Sequence, residues 1–89
     1  ITHALYDGEL VTVFTAARSY ITDESLQDLE ARVTGQSLMR VHRRALLNLS
    51  HVERLRALPT GGYTAVLSGG AEVPVSRQAA RDLRKRLGV

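Results

Sequence analysis

A chain of 89 residues closes one small core and leaves no material for a second. It contains no cysteine, which excludes a disulfide framework and a thiolate metal site and suits a reducing compartment, the cytoplasm. The net charge of +3 hides an asymmetry: residues 1–39 set two basic side chains against six acidic ones, residues 40–89 set ten against three, and eleven of the twelve basic residues are Arg. The basic half attracts polyanions, and guanidinium suits two-point bonding to phosphate or to the O6/N7 edge of guanine.

Asp7-Gly8 is a turn signal, and Glu9 to Thr15 alternates and is rich in β-branched residues, so a strand is expected there. It would place Leu10, Thr12 and Phe14 on one face and Val11 and Val13 on the other, with a short strand at Ser19 to Ile21 following. Thr22 as cap, Asp23 and Glu24 in the first turn and an Ile21–Leu26 staple predict a helix from Asp23 to Val33. Its buried stripe would be Leu26, Leu29 and Val33, with Gly35 as the stop.

Leu38 to Leu49 is ambiguous in period. As a strand it places Arg40, His42 and Arg44 on one face and Met39, Val41 and Arg43 on the other; as a helix it clusters Arg40, Arg43 and Arg44. The strand is preferred, with a turn at Asn48 to Ser50, a short helical turn over His51 to Glu53 capped by Ser50, and a strand through Leu55 and Ala57. Gly61-Gly62 and Gly69-Gly70 bracket a hairpin of Tyr63–Ser68 and Ala71–Val75, in which Pro74 marks an edge strand. Ser76 caps a last helix, Arg77 to Leu87, with Ala79, Ala80, Leu83 and Leu87 as its apolar stripe. The fold class is therefore mainly β with two short amphipathic helices.

No apolar run is long enough for a bilayer, and Ile1-Thr2-His3 shows neither an initiator Met nor a signal pattern, so the chain reads as a soluble fragment. Catalysis has little to stand on. His3, His42 and His51 do not form a metal-binding pair at helical spacing, no serine sits in a Gly-x-Ser-x-Gly elbow, and neither Gly pair precedes the Lys-Ser/Thr of a phosphate loop. Neither enzyme, cofactor nor metal is expected. Arg40-Val-His-Arg-Arg44 needs solvent, an anion, or ion pairs to Asp23, Glu24, Asp28 or Glu53. Arg84, Lys85 and Arg86 complement the negative end of the last helix, whereas Arg77 opposes the dipole in its first turn and so calls for another reason. With four aromatic residues, one on a core strand, a stacking platform for single strands is disfavoured and duplex DNA is preferred.

The segment from Leu38 to Val52, LMRVHRRALLNLSHV, resembles the signature of the LytTR DNA-binding domain, as do Gly61-Gly62-Tyr63, Gly69-Gly70, Val73-Pro74-Val75-Ser76-Arg77 and the upstream Ser25-Leu26 to Leu29-Glu30. The resemblance covers essentially the whole chain. It implies an elongated β-sandwich of small antiparallel sheets, and an output domain of a bacterial two-component response regulator, with a receiver domain and one or two strands lying ahead of Ile1. It further implies that loops enter successive major grooves, with Arg43 and Arg77 contacting bases and Arg40, His42, Arg44, Gln78 and Arg81 flanking them, chiefly on phosphate. The implied partner is double-stranded DNA at promoter repeats, bound by a dimeric full-length protein. The loop from Leu5 to Glu9, with Tyr6, Asp7 and Glu9, fits phosphate poorly. The rival reading is an interaction module that applies its basic face to an acidic protein.

Overall fold

The computed structural model describes residues 1–32 and 38–87. Among the described residues eight strands form two antiparallel sheets: β1 (His3–Tyr6), β2 (Val11–Phe14), β3 (Ser19–Thr22), β4 (Leu38–His42) and β5 (Ala45–Asn48) make one, in the order β3-β2-β1-β5-β4. The other is β6 (Val52–Ala57), β7 (Tyr63–Leu67) and β8 (Glu72–Val75), in sequence order. Two helices, α1 (Leu26–Arg32) and α2 (Arg77–Leu87), complete a body of 32 × 25 × 23 Å. The mainly β class, small antiparallel sheets and two helices agree with the sequence-based expectation.

The five-stranded sheet has a core on each side. Leu26 and Leu29 of α1 cover Ala4, Val11, Val13 and Leu46, while Ala45, Leu47, Met39 and Val41 join Ala65, Leu67, Val73 and Val75 and the Ala79-Ala80-Leu83 stripe of α2. Covered on both faces, β5 is buried at all four positions, which is why Ala45-Leu46-Leu47 runs apolar without alternating. Burial of each leucine at α1 contributes about 1.5–3 kcal/mol. Asn48 is buried but satisfied: its side chain donates to the Ile1 carbonyl at 2.7 Å and accepts from Ser50 N–H at 3.0 Å.

Several expectations are corrected. Leu38 to Leu49 is not one strand; it folds back at Arg43-Arg44 into the β4–β5 hairpin, with a register shift between Arg40 and His42. The physical reason is burial, because a continuing strand would send Arg43 into the core after Met39 and Val41. The strand β1 was not foreseen, and it lies at the centre of its sheet. Helix α1 begins at Leu26, not Asp23: Ser25 Oγ accepts from Asp28 N–H at 3.0 Å, while Thr22 Oγ1 only closes a local turn with Glu24 N–H. The Ile21 staple does not form, since Ile21 is 69 % exposed. Val33 and Gly35 lie outside the described residues. Asn48 rather than Ser50 caps the short helical turn, which spans Leu49–His51. In β2, Val11 and Val13 are buried, but Phe14 is only half-buried and stacks on the His3 ring, centroids 4.3 Å apart. Pro74 does sit on an edge strand, β8, and Ser76 Oγ accepts from Ala79 N–H at 3.2 Å as the cap of α2.

Candidate nucleic-acid interface

Three hydrogen bonds of 2.8 Å gather four loops. The Tyr6 N–H donates to the Arg44 carbonyl, joining the β1–β2 loop to the β4–β5 turn, and the Ser76 N–H donates to the Val41 carbonyl, joining that hairpin to the start of α2. The Arg77 Nε–H donates to the Gly61 carbonyl, joining α2 to the loop between β6 and β7. Counting along the chain through the Val41–Ser76 bond puts the α carbons of Arg43 and Arg77 within about 18 Å. Arg43, in the β4–β5 turn, and Arg77, the first residue of α2, are thus carried on linked segments, although the strands that lead into them, β4 and β8, belong to different sheets.

Arg43 is exposed at the tip of the β4–β5 turn, and its side chain makes no hydrogen bond or ion pair among the described residues. It lines, with Arg40, Tyr6, Glu9, Asp23 and Glu24, an open cleft of about 370 Å³. Arg40 reaches back over the turn: Nε donates to the His42 carbonyl at 2.9 Å and Nη2 to the Arg43 carbonyl at 2.6 Å. In His42, Nδ1 accepts from Arg44 N–H at 3.1 Å, so the ring proton sits on Nε2. Arg44 leans over the Tyr6 ring, 5.8 Å from its centroid.

On α2, Gln78 and Arg81 are exposed, Arg81 one turn beyond Arg77. The ion pairs weighed for Arg40, Arg43 and Arg44 do not form among the described residues: Glu24 pairs with Arg32 at 2.6 Å and Glu72 with Arg56 at 2.6 Å. Asp7, an acid in a loop beside arginines, is turned onto its own backbone, accepting from Glu9 and Leu10 N–H at 2.9 Å each. Those bonds, Leu10's first, hold its carboxyl below the usual range, with a smaller contribution from the Arg44 charge. The missed component is the loop from Leu58 to Gly62, which touches Arg77; its Pro59-Thr60-Gly61-Gly62 run signals a turn but nothing in it signals which side chain the turn receives.

No cluster of His, Asp or Glu is placed to hold a metal, and no helix is long and apolar enough to cross a membrane, among the described residues. Exposed arginines thus come from the β4–β5 turn of one sheet, Arg43 and Arg44, and from the start of α2, Arg77, two segments joined by the Ser76–Val41 bond. The LytTr DNA-binding domain family model matches residues 1–88, and the chain belongs to that family. It is 36 % identical over 85 residues to the sensory transduction protein LytT of Bacillus anthracis, covering 96 % of this chain and 34 % of that protein. It is 35 % identical over 68 residues to the transcriptional regulatory protein BtsR of Escherichia coli K12, covering 76 % and 27 %. The chain therefore spans between about a quarter and a third of the length of these curated relatives. A solved LytTr DNA-binding domain from Bacillus cereus has the same fold, with a TM-score of 0.84, 24 % identity, and coverage of 100 % of this chain and 82 % of that one.

Proposed function

We propose that this domain binds double-stranded DNA sequence-specifically as the output part of a transcriptional response regulator. In this reading the segments bearing Arg43 and Arg77 enter successive major grooves and these two arginines contact bases, while Arg40, His42, Arg44, Gln78 and Arg81 flank them, chiefly on phosphate. The observation that carries it is the hydrogen-bonded linkage of the Arg43 turn to the Arg77 helix start through Val41 and Ser76. Two exposed guanidiniums on one connected frame can be presented to the duplex together, each from a segment that enters a groove about 12 Å wide. The full-length regulator acts as a dimer on paired promoter repeats.

Selection from a random duplex library tests this. A recovered consensus is expected, and retention that is salt-sensitive but blind to sequence would instead support the interaction module with an acidic partner. With about five phosphates neutralised, log affinity falls with log salt at a slope near −4 to −5. Arg43→Ala or Arg77→Ala lowers affinity by about 1–3 kcal/mol and relaxes base preference at separate positions, whereas Arg84→Ala weakens binding uniformly across sequences.

A further inference from the structure

We propose that Gly61 is a positioning residue for DNA reading, whose carbonyl and bare α carbon seat the Arg77 guanidinium in the pose from which it meets bases. The inference rests on the base-contacting role of Arg77. At Gly61 the backbone has φ +95°, and a Cβ added there would overlap Nη2 of Arg77 and lie 2.8 Å from Cζ and 2.9 Å from Nε. The guanidinium therefore covers the face of Gly61 from which any other residue's side chain would project. Its Nε–H is fixed by the Gly61 carbonyl at 2.8 Å. Neither terminal nitrogen makes a hydrogen bond or ion pair among the described residues, which leaves them as the end-on pair that can bridge O6 and N7 of guanine.

The seat is itself braced. Gly61 N–H donates to the Leu58 carbonyl at 3.0 Å, and Leu58 N–H to the Gly62 carbonyl at 2.8 Å. An arginine held this way has already lost much of the rotamer freedom that a loose one would lose on binding. The chain also supplies an internal control. Gly70 has φ +95°, and an added Cβ there meets nothing within 4 Å, so alanine at Gly70 carries the same backbone strain with no effect on Arg77.

The experiment compares wild type, Gly61→Ala, Gly70→Ala, Arg77→Ala and the Gly61→Ala/Arg77→Ala double variant, with the duplex recovered by wild-type selection and an unrelated duplex of equal length as probes. Gly61→Ala is expected to lower affinity for the selected duplex about tenfold, the size of one lost two-point base contact, and to relax preference at the positions that Arg77→Ala relaxes. Gly70→Ala keeps the wild-type preference, and adding Gly61→Ala to Arg77→Ala changes nothing more. Equal behaviour of the two glycine variants, or a Gly61 effect that persists without Arg77, overturns the seat while leaving the base-contact role of Arg77 intact. If Arg77→Ala leaves every preference unchanged, or wild type selects no consensus, the reading of Arg77 fails first and the seat with it. Exchange of the Arg77 Nε–H in the wild-type protein is a check that needs no variant to fold: it is expected to be slower than that of exposed Arg81, and equal rates overturn the seat.

Discussion

Arg40 separates two kinds of work that a basic side chain can do. As a phosphate contact it contributes a point charge, and Lys could replace it; as observed, its Nε and Nη2 hold the carbonyls of His42 and Arg43, which leaves Nη1 for an anion. A lysine ammonium has no planar fork with which to span two carbonyls from one pose. Arg40→Lys is therefore expected to lose about 1 kcal/mol of stability in denaturant unfolding. It should also weaken binding to the selected duplex while leaving the salt slope unchanged, because the net charge is kept. A lysine variant that matches wild type in both assays would assign Arg40 to phosphate alone. The same distinction limits what the sequence reveals at this scale: the run Arg40-Val-His-Arg-Arg44 advertises charge, but which guanidinium faces outward and which braces the turn depends on a fold-back that no Gly, Pro or Asn marks.

At the scale of elements, α2 was legible because three local signals agree: a serine cap, a narrow apolar stripe and a basic last turn. The stripe ends at Leu83, since Leu87 is 36 % exposed. The Gly-bracketed hairpin was legible for the same reason. Strand β1 was not, because four residues carry little pattern; its pairing with β2 is local, but its place at the centre of the sheet comes from β5, about forty positions downstream, a pairing that appears only when the sheet closes. Helix α1 starts later than expected because three residues within four positions, Thr22, Asp23 and Ser25, can each act as a cap, and the choice falls to the one that lets both Leu26 and Leu29 reach the core. The cap of α2 also permits a clean test. Ser76→Ala removes the bond from Ala79 N–H and should cost about 1 kcal/mol. The tether to Val41 uses the Ser76 backbone N–H, which alanine retains, so base preference among library-selected duplexes should be unchanged. A shift in preference with no loss of stability would reverse that assignment.

For the whole molecule, the central strand carries a histidine whose charge the fold opposes. His3 is 5 % exposed, lies flat against the Phe14 ring, and bonds through Nδ1 to Thr2 Oγ1 at 2.9 Å. Burial lowers its pKa from the ordinary 6.5, because an imidazolium there would lose hydration without gaining a carboxylate. The unfolded chain then takes up the proton at a higher pH than the folded one. Stability is greatest above about 6.5, falls as pH drops through that value, and stops falling from this source below the folded-state pKa. Asp7 and Glu24 act in a second, more acidic window: both carboxyls are held below their usual range, Glu24 chiefly by its hydrogen bond from Arg32, so their contribution is present above the unfolded carboxylate pKa and fades as acid protonates them. Denaturant midpoints measured from pH 8 downward should therefore descend in two steps. His3→Phe should flatten the upper step and spare the lower, whatever it does to stability at pH 8, because only the difference between pH values reports the titration. An upper step that survives this substitution would move the assignment to another group.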